Sequence, residues 1–230
     1  NDVLKKTEKY EVITFDVFDT LLIRDVMKSV DVFRFSYGEV GRYVRILAEM
    51  RARKASKTGE VTLKDINRKC PFSCKREVQF EKRICRANPL MKSLYDELKK
   101  RGKKMYAISD MYLDGKIISG LLKRAGYDLP VIVSCEQGCD KTSGELFRYF
   151  LNEYSYEPSQ VLHIGDSKKS DYEGAKKAGI KCLIFNKHKN QLSYTDYTRK
   201  NYELAAFVNH GLYEEKEPAG KIEKFGVRYH

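Results

Sequence analysis

The sequence predicts an α/β protein: a doubly wound parallel sheet with an all-helical insert placed directly after its first strand. Three observations carry that expectation. Between residues 89 and 185, short β-branched and aromatic runs alternate with single helical patterns, and strands joined one by one through helices form parallel sheets. Between Val26 and Ala87, apolar residues instead recur at three- and four-residue steps. Acidic or hydroxyl residues close several strand runs, and parallel strands deliver their carboxyl ends to one edge. A chain of 230 residues is long enough for one sizeable core plus such an insert.

Taken in order, Glu11–Phe15 reads as a buried strand that breaks into Asp16 and then Asp19-Thr20. In the insert, Val32, Phe33, Val40, Val44 and Leu47 mark a helix, with breaks at Lys57-Thr58-Gly59 and at Pro71. Thr62 and Asp65 have the spacing of a capping box at a helix start, and Phe72–Arg86 suggests a further helix. Pro89–Arg101 is a helix with Pro in its first turn and Gly102 just past its end. A strand over Lys104–Ile108 closes on Ser109-Asp110, and a helix over Asp114–Ala125 stops at Gly126. Val131–Ser134 is a strand, Ser143–Tyr154 a helix, and Val161–Ile164 a strand closing on Gly165-Asp166-Ser167. Asp171–Ala178 is a helix and Cys182–Phe185 the last strand. The expected division is 1–23 with 88–186 as the core, 24–87 as the helical insert, and 187–230 as a tyrosine-rich C-terminal extension without clear period.

Composition narrows the class. Hydrophobic residues make up 42% and charged residues 33%, which suits a folded globular chain rather than a disordered one. No apolar run approaches the ~18 residues that span a bilayer, and no signal-peptide pattern opens the sequence. A cytoplasmic location is the expectation. The sequence opens on Asn rather than Met, so a piece of a longer protein is expected. Cys70, Cys74 and Cys85 could be assembled into a zinc site, but no C-x2-C pair occurs and His is scarce. Reduced thiols are the expected state. The net charge of +12 gathers between Arg42 and Arg86, where fourteen Lys/Arg face five Asp/Glu. Such a surface favours anionic partners, whether phosphorylated small molecules, nucleic acid or an acidic lipid face, unless it is simply a solvated helical face. No nucleic-acid recognition motif accompanies it, so nucleic acid is not the expected partner.

The chemistry gathers at strand ends and one loop: Asp16, Ser109, Lys141, Asp166 and Asp171. In a parallel sheet all five can converge. Three carboxylates near one point repel unless a cation sits among them, and Mg²⁺ is hard, oxygen-seeking and suited to phosphate. Lys141 adds positive charge, Ser109 adds a donor for a phosphate oxygen, and Asp16 is a candidate nucleophile able to take a phosphoryl group.

These motifs resemble the haloacid dehalogenase (HAD) superfamily. F-D-V-F-D-T-L-L is similar to its first motif, I-S-D to its second, Lys141 in K-T-S-G-E-L-F to its third, and H-I-G-D-S-K-K-S-D to its fourth. The resemblance covers residues 12–185 with order and spacing kept. It implies a Rossmann-like HAD core carrying a type I helical cap, and a hydrolase forming an aspartyl-phosphate. The roles it implies are Asp16 as nucleophile and Mg²⁺ ligand, Ser109 and Lys141 as phosphate binders, and Asp166 and Asp171 as Mg²⁺ ligands. The Phe18 backbone carbonyl is implied to face the metal. The wording F-D-x-F-D-T, with S-D-M-Y-L, is also similar to a HAD branch often encoded beside or fused to glycosyltransferases, which implies such an association.

One position departs from the resemblance. Superfamily phosphatases usually carry, two residues after the nucleophile, an Asp that protonates the leaving group; here it is Phe18. Asp19 is one residue further, and in an extended segment alternation sends it to the face opposite Asp16, where it pins the loop. Loss of a general acid costs ~10²–10⁴-fold in rate. Three outcomes follow: substrates with good leaving groups, a slowly hydrolysed aspartyl-phosphate, or a silent domain serving a larger protein. Dehalogenases of the superfamily also lack this acid but need no metal, so both Asp166 and Asp171 argue for Mg²⁺ and phosphate.

Overall fold

A computed structural model describes residues 2–24, 26 and 28–185; the expected 187–230 extension lies outside the described residues. The fold is α/β. A short helix α1 (Asp2–Glu8) precedes the central strand β1 (Val12–Phe15), and a ribbon strand β2 (Leu22–Arg24) follows it. The insert then holds α2 (Asp31–Ala55), α3 (Leu63–Lys69) and α4 (Lys75–Ile84), and β3 (Cys85–Ala87) returns to the core. The remaining elements alternate: α5 (Pro89–Lys100), β4 (Lys104–Ser109), α6 (Gly115–Arg124), β5 (Val131–Val133), α7 (Ser134–Gln137), α8 (Glu145–Tyr154), β6 (Val161–Gly165), α9 (Gly174–Lys177) and β7 (Lys181–Ile184).

The sheet is parallel in the order β5-β4-β1-β6-β7. From β1 the chain winds outward through β4 to β5, then returns to the other side of β1 for β6 and β7. The winding therefore reverses beside β1, and ligand sites of open α/β sheets lie at the carboxyl ends there. Both sheet faces are covered. Ile13 and Phe15 pack with Met91, Leu94 and Leu98 of α5 and with Leu121 of α6. Val12 faces the other way, toward Leu146, Phe147 and Phe150 of α8 and Ala175 of α9.

Local chemistry explains several boundaries. Asn88 accepts a hydrogen bond from the Leu90 N–H at 3.2 Å ahead of Pro89, and Asp114 accepts one from Ile117 at 2.8 Å, so both helices start on a side-chain cap. The capping box forms as read: the Thr62 hydroxyl accepts from the Asp65 N–H and the Asp65 carboxylate from the Thr62 N–H.

The structure also corrects the sequence reading. The helix predicted over Phe72–Arg86 ends at Ile84, and Cys85–Ala87 pairs antiparallel with Leu22–Arg24, so the insert enters and leaves through a two-stranded ribbon. A three-residue strand is too short to show a period, which is why neither partner was legible. The strand at Val131 stops at Val133, and Ser134 begins a helical turn. The helix expected from Asp171 begins earlier, as a π-helical turn over Lys168–Glu173. Along α2 the chain kinks at Gly38 (φ 75°): before it Val32 and Phe33 are buried as read, but beyond it the helix is turned, with Val40 and Leu47 78% and 48% exposed and Gly41, Arg45, Ala48 and Ala52 buried. Beyond Gly38 the buried stripe holds small residues around one arginine, which an apolar pattern does not reveal.

Candidate active site

Asp16 is the first residue past β1, and its N–H donates to the Ile164 carbonyl at 2.9 Å, which ties it to the sheet edge beside β6. Asp166 follows β6 directly, and Ser109 ends β4. Lys141 lies in the loop between α7 and α8, fixed by its N–H donating to Asp110 Oδ1 at 2.8 Å. Asp171 sits in the π-helical turn, where the Ser167 N–H donates to its Oδ2 at 2.8 Å. All five line one cavity of about 380 Å³.

Within it, Lys141 Nζ donates to Asp16 Oδ1 and to Asp171 Oδ1, each at 2.6 Å, with all three side chains nearly sealed from solvent. The charge of Lys141 is thus shared. Burial, Asp171 and Asp166 together push the Asp16 carboxyl up to about 8, with Lys141 opposing. Asp171 behaves oppositely. Burial alone would raise it, but Lys141 and His163 hold it well below the usual carboxylate range. The difference has a structural cause. Asp171 collects donors from Lys141, His163 (3.2 Å) and the Ser167 N–H, whereas Asp16 Oδ2 is buried without a hydrogen-bond partner. Burial lowers Lys141's affinity for its proton, yet Asp16, Asp171 and Asp110 outweigh it and keep the amine charged.

Oxygens of Asp16, Asp166 and Asp171 all lie within 4.8 Å of one another. An orphaned buried carboxylate oxygen among three acids, with one lysine to balance them, fits a hard divalent cation. The cysteines behave otherwise: all six are free, and Cys70, Cys74 and Cys85 form no metal-binding group among the described residues.

The segment after Asp16 is not extended, so the premise used for Asp19 fails. Asp19 has φ 68°, in the left-handed region, and the chain folds back so that its N–H donates to Leu22 and the Leu22 N–H donates to Val17. Its carboxylate pairs with Arg24 at 3.2 Å. Phe18 lines the cavity and Asp19 does not. From the insert side, Val30, Phe33, Glu49 and Arg53 complete the walls.

Residues missed from sequence stand behind the site. His163 is fully buried on β6, with Nδ1 2.9 Å from the Thr14 hydroxyl and Nε2 facing Asp171. Gly165 and Gly174 allow close approach: a Cβ on Gly165 would strike the Asp171 carboxylate, and one on Gly174 the Lys141 carbonyl. The signal was present as the His and Gly of H-I-G-D. What they touch depends on strand register.

With that geometry in place, the comparisons are informative. The sequence pattern of the haloacid dehalogenase-like hydrolases matches residues 10–179. The mouse protein haloacid dehalogenase-like hydrolase domain-containing protein 3 is 36% identical over 88 residues, 37% of this chain and 34% of its own length. The chain thus spans about a third of that relative. Among solved structures, a HAD phosphatase from Thermococcus onnurineus aligns at TM-score 0.57 and 18% identity, covering 80% of this chain and 90% of its own. A 2-haloacid dehalogenase from Pseudomonas syringae pv. Tomato DC3000 aligns at 0.54 and 15%, covering 76% and 86%. Phosphatase and dehalogenase therefore share this fold. By its matched pattern over most of its length, the chain belongs to the haloacid dehalogenase-like hydrolases.

Proposed function

We propose that the chain is a Mg²⁺-dependent phosphohydrolase or phosphotransferase that captures the phosphoryl group of a small phosphorylated metabolite on Asp16. The observation that carries this reading is the orphaned Asp16 Oδ2 inside a three-carboxylate cluster, where Asp16 Oδ1 and Asp171 Oδ1 are tied to Lys141 and Asp171 Oδ2 to the Ser167 N–H. Asp16, Asp166, Asp171 and the Phe18 carbonyl would hold the cation. When bound, it supplies positive charge that lets several carboxylates and phosphoryl oxygens share one pocket. Lys141 holds Asp16 in place and adds charge, and Ser109 supplies a donor at the end of β4. The Asp16 carboxylate attacks phosphorus, and the bond to the leaving oxygen breaks with its electron pair on that oxygen. Water then attacks the phosphorus of the aspartyl-phosphate, returning the carboxylate and releasing phosphate, which takes up the proton of the water. The helices of α2–α4 act in this reading as the cap over the pocket.

The test compares the parent protein with Asp16→Asn on acetyl phosphate and p-nitrophenyl phosphate, with Mg²⁺ or with a chelator. Turnover is expected from the parent with Mg²⁺ and to fall at least ~10³-fold in the variant. Equal turnover by both sinks the role of Asp16. Phe18 favours a second reading, a silent domain serving a larger protein such as a glycosyltransferase. No turnover by the parent on any phosphate, together with measurable Mg²⁺ binding, would select it.

A further inference from the structure

The positive charge of the insert does not reach the cavity as free charge. Two arginines line its walls, Arg24 on β2 and Arg53 in the last turn of α2. Arg24 reaches Asp19 at 3.2 Å and Glu81 at 3.4 Å. Arg53 reaches Glu49 at 2.9 Å and Glu60 at 3.4 Å, and donates to the Gly59 carbonyl at 3.0 Å. Glu49 lines the cavity as well and is shared with Arg45 at 3.1 Å, while Arg45 is bound to Glu77. Arg24, Arg45 and Arg53 thus stand against Asp19, Glu49, Glu60, Glu77 and Glu81, an excess of negative charge. Lys141 is committed too, between Asp16 and Asp171.

Between these pairs the walls are apolar or aromatic: Phe18, Val30, Phe33, Met111 and Tyr112. Phe33 and Tyr112 are buried, the other three half-buried. The acid cluster and Lys141 belong to the core, whereas Val30, Phe33, Glu49 and Arg53 come from the insert. The cavity therefore joins a charged floor to a wall of apolar surface and internally paired ions. A further anion at that wall must displace a carboxylate from one of the arginines and is repelled by the rest. An uncharged group instead gains by leaving water for the apolar surface. Resting on the reading of Asp16 as phosphoryl acceptor, we propose that the substrate's phosphoryl group is joined to an uncharged, apolar moiety. A second carboxylate or phosphate on that moiety is rejected by the wall the insert supplies, which excludes bisphosphates and phosphorylated carboxylic acids.

The experiment compares matched donors on the Mg²⁺-loaded full chain: benzoyl phosphate with para-carboxybenzoyl phosphate, and the methyl ester with the free acid of para-carboxyphenyl phosphate. Each pair differs by one distal negative charge. The uncharged member is expected to lead in kcat/KM by about 10²-fold. Glu49→Gln removes an anion from the wall and Val30→Lys adds a cation to it, and each is expected to narrow that ratio by about tenfold. A merely structural loss would lower both members together and leave the ratio as it was. Benzylphosphonate and para-carboxybenzylphosphonate, whose carbon–phosphorus bond is not cleaved, give the same comparison as Kd by calorimetry. Equal kcat/KM within the pairs, or a lead for the carboxylated member, overturns the proposal while leaving Asp16 in its role. A lead that neither variant narrows also overturns it. Tighter binding of benzylphosphonate without turnover of any donor keeps the preference and overturns Asp16 as phosphoryl acceptor.

Discussion

At the scale of single residues, the site is a contest for one lysine. Lys141 touches Asp16 and Asp171 equally, but Asp171 has His163 and the Ser167 N–H as well, so the proton preference falls on Asp16. An ionised Asp171 needs Nε2 of His163 as donor, and Nδ1 then accepts from the Thr14 hydroxyl at 2.9 Å. Two predictions belong here. The first concerns pH without metal. Asp16 binds its proton more tightly folded, up to about 8, than unfolded near 3.8. The native state then holds the extra proton, so in chelator this group makes stability fall as pH rises through that window. Asp171 has the opposite sign, and its contribution is lost only as pH falls below the ordinary carboxylate range. Thermal melts in chelator between pH 5 and 8.5 should slope downward for the parent and less so for Asp16→Asn. Parallel curves would refute the link. The second concerns Gly165, where an added Cβ meets the Asp171 carboxylate. Gly165→Ala should lower kcat on acetyl phosphate by about 10²-fold through misplacement of that group. An unchanged kcat would show that Asp171 tolerates the shift.

At the scale of elements, the insert shares the apolar core through Val32, Phe33, Val61 and Ile66 and is braced by a buried ion pair. Arg45 on α2 is fully buried, donates to Glu77 of α4 at 2.7 and 2.9 Å, and lies between the rings of Phe33 and Tyr112. Tyr112 follows β4, so this arginine joins α2, α4 and the core. Arg45→Met leaves Glu77 buried and unpaired, and should cost about 3–5 kcal/mol in denaturant melts. Arg45→Met with Glu77→Leu should recover most of that loss, because a buried pair can be replaced by packing. A double variant no better than the single would show that the pair carries net stability. Other basic residues of the Arg42–Arg86 segment are also used internally: Arg53 reaches Glu49 at 2.9 Å and the Gly59 carbonyl at 3.0 Å. The local charge surplus read from sequence is therefore partly structural.

At the scale of the whole molecule, chain winding explains why the site lies where it does. The sheet reverses beside β1, and Asp16 and Asp166 follow the two adjacent strands β1 and β6. A cation bound to both would tie these strands to the turn that carries Asp171. Anything that binds the folded state alone raises its stability, so Mg²⁺ at a hundredfold excess over its Kd should raise Tm by roughly 5–10 °C. The rise should vanish in an Asp16→Asn, Asp166→Asn double variant. A parent Tm indifferent to millimolar Mg²⁺ would remove the metal from the proposal.

The sequence by itself determined the α/β class, the helical content of the insert and the five residues that meet at the cavity. Its strong signals are buried β-branched strands, capped helices and polar residues at strand ends, all set by neighbours within a few positions. Tertiary structure decided what depends on distant partners. It turned α2 so that Arg45 faces inward, paired Leu22–Arg24 with Cys85–Ala87, and placed His163 behind Asp171. It also bent the chain at Asp19 and set Arg24 over Phe18, since a left-handed turn and a stacked cation are fixed by contacts that local sequence does not encode.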